Sequence, residues 1–459
     1  MRYLLGLILM AALVAGGAFV YAGRLPGPAI EIVKPEKFVG QSSTVEVTIV
    51  SPEAQGAGDF QVTFEQNGKQ TPLASFAQPG TAEIKPDGPG RVRIVRRFGR
   101  DTIPDLKTGP ARIIVTAKRP VLYGMRKASS TAARDLQVRL ERPQIAVLST
   151  KHYINLGGSE MVVYKATPAD VQSGVRVGDL TYPGYPASGA KLPGVNITDP
   201  AVKIAFIALR YDQDVNTPMY AYAQDEAGNS ARADFDRLTF PKPFKKSRIA
   251  LDDKFLERVV PAILETTTEI NPQGSTLDKF LAINGELRRK NAEKIASYAA
   301  QSAPEILWGG EVFHPFTNTA VEAAFADQRT YVYGGKDVDR QTHLGFDLAR
   351  VVNSPIVAAN RGKVVHAAPL GIYGNCVIID HGMGVQSLYA HLSSISVNVG
   401  DAVAKEQEIG RSGMTGLAGG DHLHFTQLVN GQMVNPVEWW DGHWIEDRIL
   451  RKLREASGS

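Results

Sequence analysis

Five residues in the last third of the chain have the types and spacing for chemistry at a metal: His343, Asp347, His391, His422 and His424. They stand in Thr342-His-Leu-Gly-Phe-Asp347, Tyr389-Ala-His-Leu392 and Asp421-His-Leu-His-Phe425. Nine histidines occur in 459 residues, and eight of them fall between 314 and 443. The first and third segments together offer two imidazoles and a carboxylate, the ligand set of a catalytic zinc site that keeps one position open for water. The two histidines left over are candidates for proton chemistry beside the metal.

Local spacing supports convergence. His422 and His424 are i and i+2, so in a strand both imidazoles face one side, with Leu423 and Phe425 on the other. Gly345 lets the backbone between His343 and Asp347 bend so that both can reach one ion. Val385–His391 reads as a strand joined to Cys376–Asp380 through His381-Gly-Met-Gly384, a hairpin loop that places His391 at a strand end. A single histidine is ordinarily structural, and His152, His314, His366, His381 and His443 are read so, with His314 or His381 able to line a cleft.

These segments need a scaffold. A chain of 459 residues exceeds one ordinary domain, and two to four are expected. Apolar content of 43% with 21% charged residues describes a globular protein; 44 Gly and 27 Pro favour turn-rich β modules. A net charge of +4 argues against a dedicated nucleic-acid binder. The charge is uneven: residues 311–445 hold 8 basic and 13 acidic side chains, a net of −5, which leaves +9 on the remainder. One cysteine, Cys376, excludes an intramolecular disulfide and a cysteine-based zinc site, and it reads as a small buried strand residue.

Residues 3–23 carry no charge, a length that crosses a bilayer core of ~30 Å as a helix. Segment 1–23 is therefore a transmembrane anchor or a signal segment, and the rest of the chain is expected outside the cytoplasm. Residues 24–143 read as a β-sandwich-like module, with alternating strands at Ser43–Val50, Phe60–Phe64, Arg91–Val95 and Ala111–Ala117. Residues 144–246 form a second β module, and Ala223-Gln-Asp-Glu-Ala-Gly-Asn229 resembles a turn of bacterial immunoglobulin-like modules. Residues 247–303 are helical: Leu251–Leu264 has apolar residues at helical spacing, and Ser275 with Asp278 could form a capping box. Residues 304–445 are β again, and 446–459 are a charged helix and tail. The fold class is thus multi-domain and mainly β.

The order His-x-x-x-Asp, Tyr-Ala-His-Leu, His-Leu-His-Phe resembles the LytM/lysostaphin-like zinc metallopeptidases over residues 310–440. The similarity extends to Gly362-Lys-Val-Val365, Gly374-Asn375, Ile379-Asp-His-Gly382, Val399-Gly-Asp401 and Gly410-Arg-Ser-Gly-Met-Thr-Gly416. The resemblance implies one Zn2+ held by His343, Asp347 and His424, with His391 and His422 orienting water and stabilising the transition state. It also implies an all-β catalytic domain with an open groove, and an oxyanion-donating tyrosine for which Tyr331 and Tyr333 are both candidates. The expected substrate is the peptide crosslinks of bacterial peptidoglycan. The expected location is the inner membrane, single-pass, with the catalytic domain in the periplasm, and a regulatory protein partner is expected. The rival reading is a non-catalytic scaffold or activator of cell-wall hydrolases; a peptidase for a protein or a short secreted peptide is a third.

Overall fold

A computed structural model describes residues 2–51, 59–80 and 82–458. Met1 and Ser459, the outer ends of the first and last segments named above, lie outside the described residues. Two compact units emerge: Met1–Pro143 with Gln224–Ala231, and Gln144–Ala223 with Arg232–Ser459.

In the first unit the uncharged N-terminal stretch forms the helix Arg2–Ala22. Among the described residues no helix is long and apolar enough to cross a membrane, so the expected span is not found there. Beyond it, two sheets enclose one core. The first has the order Ala29–Lys34, Ser42–Val50, Arg91–Gly99, Glu83–Pro86; the second is built on Arg126–Val138, Gly109–Val121, Phe60–Gln66 and Lys69–Ser75. Alternation dictates this arrangement: along Ser42–Val50, Val45 and Val47 are fully buried, and along Gly109–Val121 so are Ile113 and Val115.

The second unit begins with the antiparallel sheet Gln144–Val147, Ser159–Thr167, Val202–Ala208, Tyr185–Pro186. The chain then enters the strand Lys246–Leu251, which lies parallel to Asp327–Tyr333; that strand in turn pairs antiparallel with Lys336–His343. The segment expected to be helical from 247 therefore opens as a strand of the C-terminal part. Asp252 caps the helix Asp253–Glu265 by accepting from the Phe255 N–H, and Leu256, Val259, Val260 and Ile263 form its buried stripe. Ser275 and Asp278 do make a capping box at the start of Thr276–Ala282. Helical turns continue through Arg288–Ser297.

The C-terminal part is built on an eight-stranded antiparallel sheet. Its path runs Ala320–Ala323, Phe346–Ala349, Leu423–Val429, Val385–Leu392, Asn375–Gly382, Gly362–Pro369, Ala402–Val403, with Gln432–Val434 beside Leu423–Val429. Register sets the chemistry: Asp347 and Ala390 are both Cα partners of His424. Leu423 and Phe425 are fully buried on the far face, as the alternation requires. Met383 and Gly384 take φ of 52° and 79°, so the hairpin closes as the sequence suggests. Cys376 is buried in its strand, where burial pushes the thiol far up. The helix Arg451–Ala456 follows and buries Leu453 and Lys452.

Candidate metal centre and cleft

Asp347 and His424 face each other across paired strands, and His343 ends the strand that precedes Asp347. His343 Nε2 lies 2.9 Å from Asp347 Oδ1 and 2.9 Å from His424 Nδ1, and His424 Nδ1 lies 3.0 Å from the same Oδ1. The other ring nitrogens are committed. His343 Nδ1–H donates to the Ala324 carbonyl at 3.2 Å. His424 Nε2–H donates to Thr426 Oγ1 at 2.9 Å, and that hydroxyl donates to the Leu344 carbonyl at 2.9 Å. These bonds fix the tautomers so that both imidazoles turn a lone pair toward Asp347. Three lone pairs this close repel unless positive charge sits between them. Three nitrogen and oxygen donors suit a zinc ion with an open position, so the residues present fit the expected metal.

His391 and His422 stand beside this triangle. Their ring centroids are 4.9 Å apart, and His391 lies 5.7 Å from the His424 ring. His391 Nδ1–H donates to the Thr415 carbonyl at 2.8 Å; His422 Nδ1–H donates to the Gly420 carbonyl at 2.9 Å. Each keeps Nε2 as its remaining nitrogen, and that of His422 is 3.5 Å from Asp347 Oδ1. All five residues line one cleft of about 500 Å³. The His391 backbone has φ of 63°, a left-handed value that costs a residue other than glycine on the order of 1 kcal/mol.

Burial works against the Asp347 carboxylate. When the histidine rings carry a proton on the nitrogen facing it, the charge and hydrogen bond of His343, with hydrogen bonds from His422 and His424, outweigh burial and hold the carboxyl well below its ordinary range. Burial, with the charges of His422 and His424, pushes His391 well below an ordinary imidazole. For His422 burial acts the same way, but the bond to Asp347 and its charge win and raise it.

Several site residues were invisible in the sequence. Arg329 reaches Asp347 Oδ2 at 3.0 Å and Asp327 at 3.4 Å, so the second carboxylate oxygen is already neutralised. Tyr373 packs edge-on against His424 with centroids 5.6 Å apart, and burial pushes its phenol up to about 12. Thr426 was readable in principle: it lies two residues beyond His424 on the same strand face. Of the two candidate tyrosines, Tyr331 lines the cleft; Tyr333 turns away and donates to Asp253 Oδ1 at 2.6 Å. Gly345 is needed for a different reason from the expected one. Its φ is not positive; instead a Cβ there would lie 2.5 Å from His424 Nε2, so glycine admits the ring.

The remaining histidines stay outside the cleft lining. His381, fully buried, donates from Nδ1–H to the Arg361 carbonyl and accepts at Nε2 from the Ser387 hydroxyl, and His366 pairs with the Tyr298 hydroxyl. His152 is held by Ser149 and the Asp236 carbonyl.

This cluster coincides with a recognised family segment. Residues 341–436 match the model of Peptidase family M23. The chain is 43% identical over 95 residues to the DD-carboxypeptidase/endopeptidase Mpg of Neisseria meningitidis, covering 21% of this chain and 22% of that protein. It is 38% identical over 96 residues to the peptidoglycan DD-endopeptidase ShyA of Vibrio cholerae, again 21% and 22%. The chain thus matches about a fifth of the length of these relatives. The catalytic domain of lysostaphin from Staphylococcus simulans is 29% identical, covers 27% of this chain and 92% of its own, and has a TM-score of 0.24.

Proposed function

We propose that the protein is a zinc-dependent endopeptidase that hydrolyses peptide crosslinks of bacterial peptidoglycan. The observation that carries this is the convergence of His343 Nε2, Asp347 Oδ1 and His424 Nδ1 within 3.0 Å of one another, in a cleft shared with His391 and His422. The names of the relatives that the chain matches support the substrate class.

In this reading His343, Asp347 and His424 hold the zinc ion. When bound, the ion supplies a Lewis acid that polarises the scissile carbonyl and makes water acidic enough to attack near neutral pH. The chain does the rest. His391 and His422, each anchored through Nδ1, present Nε2 to take a proton from the attacking water and return one to the leaving amine. Their anchors are carbonyls, so neither ring must reorient during the reaction. Tyr331 stands in the cleft as the hydroxyl donor to the developing oxyanion.

The uncharged stretch 3–23 supports export of the chain and attachment at the inner membrane, with catalysis in the periplasm. Fractionation of cells expressing the full chain tests this; recovery in the cytosol overturns it. The two antiparallel sheets between 144 and 240 support an immunoglobulin-like character for the second β module.

The functional test is incubation of the purified full chain with sacculi, followed by muropeptide separation. Crosslinked dimers should fall and monomers rise, a chelator should stop the reaction, and zinc should restore it. No release by zinc-replete protein overturns the reading. Release only when a second hydrolase is added would favour the activator alternative.

A further inference from the structure

The cleft is walled on one side by an element outside the M23 segment. Arg288 and Ala292, on the helix Arg288–Ser297, line it beside Tyr373 and Met433. The helix is fastened to the cleft floor by Asn291, fully buried, whose Oδ1 accepts from the Ile372 N–H at 3.0 Å.

Arg288 is held in place by side-chain hydrogen bonds and forms no direct ion pair among the described residues. Its Nε donates to the Asn284 carbonyl at 3.0 Å and its Nη2 to Asn284 Oδ1 at 2.5 Å. The Asn284 amide in turn donates to Asp339 Oδ2 at 2.7 Å, tying the arginine to the strand Lys336–His343. Two cations line the cleft, Arg288 and Arg329. Arg329 is consumed by Asp347 and Asp327, whereas Arg288 has no carboxylate partner among the described residues. Glu322 lines the same cleft and forms no ion pair with Arg288.

A guanidinium held by two hydrogen bonds and paired with no carboxylate, at the wall of the cleft, is suited to a planar anion. We infer that Arg288 is a specificity-determining residue that binds a free carboxylate of the substrate peptide next to the scissile amide. This rests on the peptidase reading and adds what the cleft selects: crosslinks that keep a free carboxylate beside the bond over those in which it is amidated.

The test uses the zinc-loaded full chain and synthetic crosslinked peptide dimers in two forms, with that carboxylate free or amidated. Wild type should prefer the free form by about tenfold or more in kcat/KM, mostly through KM. Arg288→Gln should bring the ratio near one at unchanged zinc content, and Arg288→Lys should recover part of the preference. Binding of the same two peptides to the His391→Ala variant, with and without Arg288→Gln, gives a second readout. Cleavage with no preference, or a preference that survives Arg288→Gln, overturns the inference and leaves the peptidase reading standing. Arg288-dependent binding without turnover by the wild type overturns the peptidase reading and leaves the carboxylate site standing.

Discussion

Arg329 binds the Oδ2 oxygen of Asp347 at 3.0 Å, while Oδ1 of the same carboxylate faces His343 and His424 at 2.9 and 3.0 Å. One oxygen is thus neutralised by a fixed cation and the other is left for the metal. The pairing also fixes the rotation of the carboxyl group. Such supporting contacts orient a ligand and tune its basicity, and so contribute to metal affinity.

Arg329→Ala should therefore weaken zinc binding by roughly 10- to 100-fold, without removing a ligand. Competition with a chelating dye measures it. An unchanged affinity would show that the arginine only fills space.

The five-residue constellation divides into two phenotypes. Asp347→Ala removes a ligand and should abolish both zinc retention and turnover. His391→Ala should keep zinc and lose turnover by about 10²-fold or more. Metal analysis of each purified variant beside muropeptide release separates the two, and loss of zinc from the His391 variant would refute the assignment.

What was legible in the sequence depended on distance along the chain. The i, i+2 relation of His422 and His424 is local, so the shared face followed from strand geometry alone. The hairpin at Met383 and Gly384 and the capping box at Ser275 and Asp278 are local as well. Arg329 was not legible, because its strand Asp327–Tyr333 meets Asp347 only through the folded sheet, and nothing in an Asp-Gln-Arg-Thr pattern marks a metal site. Nothing local marks Arg288; only packing of its helix against the Gly371–Tyr373 turn carries it to the cleft. The glycine at 345 was noticed but its reason was not, since a close approach of the His424 ring is a tertiary fact.

Gly345→Ala is the sharpest steric test of the site. Its Cβ would meet His424 Nε2 at 2.5 Å and the Phe425 carbonyl at 2.7 Å, so the ring must move and its bond to Thr426 must break. Zinc stoichiometry and turnover should both drop while the protein stays folded by circular dichroism. Full occupancy and wild-type rates in this variant would show that the sheet absorbs a methyl there at no cost.

Glu438 gives a pH-dependent contribution to stability away from the cleft. It accepts from Asn155 Nδ2 at 2.9 Å and from the Ser159 N–H at 2.8 Å, yet burial prevails and pushes its carboxyl up to about 7 from an ordinary 4.5. Below about 4.5 both folded and unfolded states hold the proton, and the contribution is fully present. Between there and about 7 the unfolded state ionises first, so stability falls as pH rises, and the loss is complete above about 7. The span corresponds to on the order of 3 kcal/mol. Urea midpoints of wild type and Glu438→Gln across this window should converge or cross as pH rises; a constant difference between them would rule the contribution out.

Lys452 and Glu160 pair at 2.7 Å with side chains 3% and 0% exposed, joining the C-terminal helix to the strand Ser159–Thr167. Glu160 also accepts from the Tyr153 and Met161 N–H groups, so its lone pairs are filled from three directions. Removing one member leaves a buried charge without its partner, which costs roughly 3–5 kcal/mol, whereas an exposed pair such as Lys69 with Asp105 is screened by water and contributes little. Lys452→Met should therefore be strongly destabilising in denaturant titration, and adding Glu160→Gln should return part of the loss because the orphaned charge is gone. The coupling measured by this double-mutant cycle should persist in high salt, since ions cannot screen a pair that water does not reach. Additive losses in the single and double variants would mean that the helix is held by its apolar contacts, Leu453 among them, and that the ion pair is incidental.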